Sequence, residues 1–267
     1  MSALLAVYLG IGLISALISG VTGLAGGVLL LSALSAILPI EVVIPLHALI
    51  QVLANLSRVL ILRKNIDWVI WRAFNLLTIP AGLLGAYSVS FLPREGLQVS
   101  VGAIVVFAAL YTLRATLREA RTLTAPEVQP SASALPEVTD QALPSRLPRR
   151  YVLLGMTSSL LGMVIGATGP LIAPFFMIDG LKRERFIATK SACQLTVQVI
   201  KTLIFAQLLR FAYGDHLDVI VMMVFGVITG TFIAKRVLRR VEGAWLELLI
   251  ACLLALLGAK LLLKGLA

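Results

Sequence analysis

Two sets of polar residues recur at the spacing of one helix face inside apolar stretches of the chain. Each set follows intervals of 4, 4 and 3 residues. At ~100° per residue, such a set falls within about an 80° arc of a helix. We name them the first and second polar stripes: the first is His47, Gln51, Asn55 and Arg58, and the second is Lys190, Gln194, Gln198 and Lys201.

These residue types predict chemistry with an anion. Lys190 and Lys201 can neutralise a negative charge, and the amides of Gln51 and Gln194 can donate hydrogen bonds. His47 can titrate near neutral pH and couple protons. An ionisable residue at mid-membrane costs ~2.5–3.5 kcal/mol, so the stripes should face each other or a wet cavity and not lipid.

Each stripe residue also has an alternative interpretation without a ligand. Arg58 and Lys201 can snorkel towards a membrane surface. The amides can bond across packed helices, and His47 alone can be structural. Lys190 can form an ion pair with Glu184 or Asp179 near the start of its helix.

Two glycine-rich segments stand close to the stripes in sequence. They are "GVTGLAGG" at 20–27 and "GMVIGATGPLIAPFF" at 162–176. Glycine tolerates turns and Pro170 starts a helix better than it continues one, so each segment predicts two half-helices with a break between them. A new helix start presents N–H groups and partial positive charge, which suit an anion. The alternative is close helix packing by small residues.

The predicted site combines the glycine breaks with the stripes. Thr168 adds a hydroxyl donor to the second break. The predicted substrate-binding residues are Gly23, Gly26, Gly27, Gln51, Gly166, Thr168, Gly169, Lys190 and Gln194. A coupling role is assigned to His47, Arg58 and Lys201.

The composition indicates which elements must carry these residues. Hydrophobic residues make up 59% of the chain and charged residues 13%. Soluble domains carry about 25% charge, and a bilayer-spanning helix needs ~20 apolar residues. We predict an all-α polytopic membrane protein. Its apolar segments run over 3–19, 24–38, 43–62, 68–92, 96–113, 151–165, 169–179, 186–209, 217–234 and 244–263.

The basic residues indicate an orientation in the membrane. Most of them cluster between apolar segments, in the zones 63–72, 114–150, 182–185 and 235–240. Such clusters are typical of cytoplasmic loops and argue against nucleic acid as a partner, despite the net charge of +10. We expect a multi-pass protein of the cell (inner) membrane, with the lipid bilayer as its surroundings and the Pro-rich segment 118–150 as a flexible cytoplasmic linker.

The two halves of the sequence resemble each other. With a shift of 143 residues, Gly23 meets Gly166, Gln51 meets Gln194 and Arg58 meets Lys201. The charge pattern places the turn near Pro39 and its mate near Lys182 on opposite sides. We therefore predict two inverted-topology repeats, 1–117 and 151–267, with glycine-broken helices, an architecture of secondary transporters.

At these residues the chain resembles the sulfite exporter TauE/SafE family. "GLAGGVLLL" at 23–31, "GATGPLIAPFF" at 166–176 and "ATKSACQLTVQVIK" at 188–201 are similar to its repeated glycine-rich segments and the stretch that follows them. "RKNIDW" at 63–68 resembles a family loop. The resemblance implies transport of small anions such as sulfite or organosulfonates, and no prosthetic group.

The sequence therefore predicts a secondary transporter of small sulfur-containing anions that works by alternating access. The alternative is an anion channel, for which the same residues would serve. An enzyme is disfavoured because the sequence has no HExxH motif and no Ser/His/Asp-type grouping, and it has no G-x-x-x-x-G-K-[ST] motif for ATP. We expect no cofactor and no metal, and a homodimer is compatible with the pattern.

Overall fold

The fold is given by a computed structural model of the 267-residue chain. It describes residues 2–22, 25–89, 91–124, 149–169, 172 and 183–237, together with 252, 255, 256, 258–260, 262 and 263. Within these residues the chain is almost wholly helical and contains no β-strand, which confirms the all-α prediction.

Nine continuous helices are described, with two short 3₁₀ turns between them. The turns are Arg63–Asn65 and Tyr213–His216. The helices are α1 (Ser2–Thr22), α2 (Ala25–Ser35), α3 (Ile40–Leu62), α4 (Trp68–Asn75), α5 (Thr78–Val89), α6 (Arg94–Thr124), α7 (Arg149–Ile165), α8 (Arg183–Gln207) and α9 (Leu217–Val237).

Polar side chains are buried in this fold while large apolar side chains are exposed. His47 and Lys201 are each 1% exposed, whereas Leu60 is 62% and Phe225 64% exposed. In water this arrangement would forfeit the hydrophobic stabilisation, but in lipid it places apolar groups against apolar surroundings. Among the described residues, three helices are long and apolar enough to cross a membrane, or four if α4 and α5 form one span. The membrane class is therefore confirmed.

Helices of the first half pack against helices of the second. α1 packs on α9, α5 packs on α7, and α3 packs along α8. Glycines permit the closest crossings. A Cβ on Gly12 would overlap the carbonyl oxygen of Met223 in α9, and one on Gly155 in α7 would overlap that of Phe74 in α4. Small residues at such points let helix backbones approach within a bilayer.

Two apolar segments differ in detail from the sequence prediction. The segment 68–92 is bent by 41° between α4 and α5. Pro80 lies in the first turn of α5, where its missing N–H is tolerated, so the chain restarts a helix there. α6 continues to Thr124, so the first residues of the predicted linker are helical, in a stretch that contains helix-forming Arg, Glu and Ala. Residues 125–148 lie outside the described part.

Candidate functional site

Seven of the eight residues of the two polar stripes line one cavity between α3 and α8, and Lys201 is the exception. The cavity has a volume of about 30 Å³. One water molecule needs ~10–15 Å³, so the space suits a few waters or one small anion. The lining consists of Ser19, Gly27, Val28, His47, Gln51, Asn55, Arg58, Ala167, Gly169, Lys190, Ser191, Gln194 and Gln198.

Helix periodicity explains why these side chains meet. Each stripe occupies a single face of its helix, and α3 and α8 pack with those faces together. Leu60 on α3 and Leu203 on α8, outside the stripes, are 62% and 56% exposed. The apolar faces therefore point outwards while the polar faces are enclosed.

The charge of the cavity wall is positive. Lys190 and Arg58 contribute cations, and the lining contains no carboxylate among the described residues. Lys190 is 7% exposed, and its ammonium nitrogen lies 5.9 Å from the ring centre of Phe186. Glu184, the rival ion-pair partner in the sequence, is exposed and accepts a hydrogen bond from Asn65 at 3.0 Å. Asp179 lies outside the described residues.

The start of α2 contacts the first polar stripe. His47 donates from Nε2 to the carbonyl oxygen of Gly27 at 2.9 Å, since a carbonyl can only accept. A Cβ on Gly27 would lie 2.8 Å from Nε2 of Gln51, which is too close for ordinary contact. The absence of a side chain at Gly27 thus lets the amide of Gln51 and the backbone of α2 meet at the cavity.

The end of α7 and the residues after it contact the second polar stripe. Gln194 donates from Nε2 to Thr168 Oγ1 at 3.4 Å, and this hydroxyl lies 2.8 Å from Ser158 Oγ. Gly166 has a φ of +87°, a conformation that favours glycine. Its backbone turn leads the chain from α7 to Thr168 and Gly169.

Lys201 is used differently from the rest of its stripe. Its Nζ donates to the carbonyl oxygens of Gly162 at 2.7 Å and Gly166 at 3.1 Å. These carbonyls belong to the C-terminal end of α7, where the helix dipole favours a cation. Lys201 is absent from the cavity lining in the described part of the chain.

Several buried polar atoms of the stripes have no hydrogen-bond partner among the described residues. A buried unsatisfied polar group costs ~1–3 kcal/mol, so native proteins normally pair such groups with protein or water. Their concentration around one cavity indicates a place for a polar ligand or ordered water. The atoms are His47 Nδ1, Asn55 Nδ2, Arg58 Nε and Gln198 Oε1.

The structure brings most of the predicted site residues together, but not all. Thr168 and Gly166 are not among the residues that line the main cavity. Gly26 lines a smaller adjoining cavity of about 10 Å³. Lys201 is turned towards α7, and Gly23 lies outside the described residues. The residues that line the main cavity are Gly27, Gln51, Gly169, Lys190 and Gln194, with His47 and Arg58 from the coupling set.

Sequence reasoning missed two serines on the wall. Ser191 directly follows Lys190, and Ser19 lies on α1, four residues after the buried Ser15. That spacing on one helix face is a polar signal within an otherwise apolar helix. Arg58 and Ser19 line the adjoining cavity as well as the main one.

Within the described ranges, no group of three or more His, Cys, Asp or Glu side chains could hold a metal ion. The donor-rich wall suits an anionic ligand instead.

Comparison with known proteins gives one match. The family model described as "Sulfite exporter TauE/SafE" matches residues 8–261 of the chain. No curated protein and no solved structure matches it. The match covers both polar stripes and both glycine-rich segments.

Proposed function

We infer the function from one premise: the chain belongs to the sulfite exporter TauE/SafE family. The family and the apolar helices make it a multi-pass membrane protein of a transporter family for sulfur anions. We propose that it is a secondary transporter of a small sulfur-containing anion, sulfite or an organosulfonate, which binds in the cavity between α3 and α8.

The observation that carries this proposal is the donor-rich cavity. Its wall holds two cations, several amides and hydroxyls, and, within the described residues, no carboxylate. At ~4 Å, a cation attracts an anion by ~4 kcal/mol at the effective dielectric of a partly wet protein site. Lys190, Arg58, Gln51 and Gln194 are the proposed contacts, with the backbone near Gly27 and Gly169.

The size of the cavity supports a compact substrate in this conformation. About 30 Å³ accommodates a three- or four-oxygen inorganic anion more readily than a carbon-bearing sulfonate. A larger organosulfonate would require the walls to separate. Sulfite is therefore the first substrate to test.

The proposed mechanism is alternating access between two inverted repeats, 1–117 and 151–267. Its support is that corresponding helices of the two halves pack against each other in corresponding pairs. With a shift of 143 residues, α1 corresponds to α7, α3 to α8, and α9 to the α4–α5 pair. α1 packs on α9 just as α7 packs on α5, and α3 and α8 meet in the middle. Rocking of one half against the other would open the cavity to each side in turn.

The proposed orientation puts the segment 118–150 in the cytoplasm and the protein in the inner membrane. The support is the cluster of arginines in that segment and its flanks. Cysteine labelling from either side of the membrane tests it.

Anion binding to purified protein tests the function. Thermal unfolding in detergent would be compared with sulfite, sulfate, thiosulfate, sulfoacetate and chloride, for the wild type, Lys190→Ala and Lys64→Ala. Lys64 is an exposed lysine of the 3₁₀ turn before α4 and serves as the matched control. A ligand that binds only the native state raises the melting temperature.

We expect a sulfur anion to stabilise the wild type and Lys64→Ala. Lys190→Ala should lose at least about tenfold in affinity, or ~1.4 kcal/mol, because it removes a buried cation from the wall. Equal stabilisation of all three proteins would show that Lys190 does not contribute to anion binding. Stabilisation by none of the anions would refute the anion-transporter proposal, and non-saturating flux in liposomes would favour a channel.

A further inference from the structure

The imidazole ring of His47 has one nitrogen engaged and one nitrogen unpartnered. Nε2 carries a hydrogen and donates it to the carbonyl oxygen of Gly27 at 2.9 Å. Nδ1 is buried, belongs to a residue of the cavity wall, and has no hydrogen-bond partner among the described residues. In the neutral ring, Nδ1 is therefore an acceptor with its lone pair unused.

This acceptor cannot be converted to a donor by turning the side chain. Gln198 provides a contrast, because its unpartnered oxygen and its NH₂ group can exchange places when the amide rotates. The same rotation of His47 would break its bond to Gly27. His47 thus presents a fixed acceptor to the cavity.

Among the described residues, the charged side chains found beside His47 are cations. Arg58 lies on the same helix, and Lys190 and Lys201 lie on α8, which packs against it. α2 contributes the carbonyl of Gly27, and the lining includes no Asp or Glu within the residues described. These cations offer only donors, and they suit the acceptor oxygens of an oxyanion.

A fully deprotonated oxyanion also consists only of acceptors. Its oxygens would be satisfied by Lys190, Asn55 Nδ2 and Arg58 Nε, but an oxygen facing Nδ1 of His47 would meet a second lone pair. A hydrogen between that oxygen and Nδ1 turns this repulsion into a hydrogen bond. The contact between Nδ1 and the anion therefore requires an additional proton, because neither Nδ1 of the neutral ring nor a fully deprotonated oxyanion carries a hydrogen.

We propose that the site binds its anion together with a proton, which lies between Nδ1 of His47 and an oxygen of the anion. One dianion and one proton enter, or equivalently one hydrogen anion such as hydrogen sulfite, and no bond to the protein is made or broken. This inference rests on the proposed function and deepens it. The substrate class becomes a protonated oxyanion, and His47 becomes the residue that selects it.

Counting protons on binding tests the inference. The purified full-length protein would be titrated calorimetrically with sulfite, at a pH where free sulfite is mostly the dianion. Two buffers with different ionisation enthalpies then give the protons taken up per anion bound. We expect about one proton per anion for the wild type.

Two histidine variants provide the matched comparison. His47→Gln keeps a donor for Gly27 but lacks an acceptor at Nδ1, so proton uptake should fall to near zero and affinity at this pH by at least about tenfold. His216, the other histidine, is stacked on Phe211 in the turn before α9. His216→Gln should keep the wild-type uptake. His47→Leu, which has no acceptor at the Nδ1 position, serves as a second variant if His47→Gln does not fold.

The outcomes separate this inference from the function on which it rests. If the wild type binds sulfite without taking up protons, or if His47→Gln keeps the uptake, the role of His47 is rejected while anion binding stands. If no sulfur anion binds the wild type, the proposed function fails and the inference fails with it. The wild-type count does not depend on the folding of any variant.

Discussion

The first and second halves of the chain place a cation at corresponding positions, yet use it differently. Lys201 in the second half is 1% exposed and donates to two carbonyls at the end of α7. Arg58 in the first half donates from one terminal nitrogen to Asn55 Oδ1 at 2.9 Å and leaves Nε unpartnered at the cavity. One cation holds a helix end, and the other faces the space where a ligand would bind.

His47 and Lys190 also occupy corresponding positions but differ in the hydrogen bonds that they can make. Both line the cavity at corresponding positions of the two stripes. The lysine can only donate a hydrogen bond, whereas the unpartnered nitrogen of the neutral histidine can accept one. Matched spacing therefore fixes where two side chains lie, but the residue type and its neighbours decide what each one does.

The largest expected effect tests whether the halves depend on corresponding helix crossings. Gly12 and Gly155 are 143 residues apart and each meets a backbone carbonyl of the opposite half. Gly12→Ala and Gly155→Ala should each destabilise the protein by ~3 kcal/mol, because neither backbone can yield without separating two helices. The measurement is thermal unfolding in detergent.

Gly10 provides the control for that prediction. A Cβ there meets nothing within 4 Å, so Gly10→Ala should be neutral or stabilise α1 by up to ~1 kcal/mol. If Gly155→Ala unfolds at the wild-type temperature, the close crossing of α7 and α4 is wrong. If only one of the two substitutions destabilises, the halves do not rely on equivalent crossings.

A smaller effect should distinguish Lys201 from Arg58. Lys201→Met keeps the hydrocarbon stem but removes the donor to two carbonyls of α7, so it should lower stability by ~2 kcal/mol. Arg58→Met should change stability less, yet weaken sulfite binding at least about tenfold, or ~1.4 kcal/mol. Each variant is measured by thermal unfolding with and without sulfite. Reversed results, with Lys201→Met losing affinity and Arg58→Met losing stability, would contradict the division of roles.

The helices and their polar faces could be predicted from sequence because both depend on local periodicity. The segment 43–62 corresponds to α3 and 186–209 to α8, within a few residues at each end. The length of an apolar run indicates whether a helix can span the membrane, and a spacing of 3 or 4 residues places side chains on the same helix face. The bend before α5 also had a local signal in Pro80, which the apolar run concealed.

The partners of individual side chains could not be predicted in the same way. Lys201 binds carbonyl oxygens of Gly162 and Gly166, and a backbone acceptor has no signature in the sequence. Ser19 reaches the cavity because α1 packs next to α2, a contact fixed by the fold alone. Whether a polar residue faces a ligand or caps a helix depends on such contacts.

The two halves also differ in the loops that follow α3 and α8, and this difference predicts the smallest change in stability. Asp67 accepts hydrogen bonds from the N–H groups of Val69 and Ile70 and thereby caps α4, and it pairs with Arg185 at 2.7 Å. The corresponding residue, 143 positions later, is Arg210, which is exposed and has a φ of +52°. A left-handed conformation costs a residue with a Cβ ~1–2 kcal/mol, and glycine is spared most of this cost.

Arg210→Gly should therefore stabilise the protein slightly, by ~0.5–1 kcal/mol, although it removes a charge and adds a glycine. The gain is smaller than the strain because glycine also gains freedom in the unfolded chain. Thermal unfolding of Arg210→Gly beside Arg210→Ala separates the causes, since alanine removes the same guanidinium but keeps the Cβ. A rise with glycine alone supports the strained backbone. An equal rise with both variants would instead assign the gain to removal of the charge.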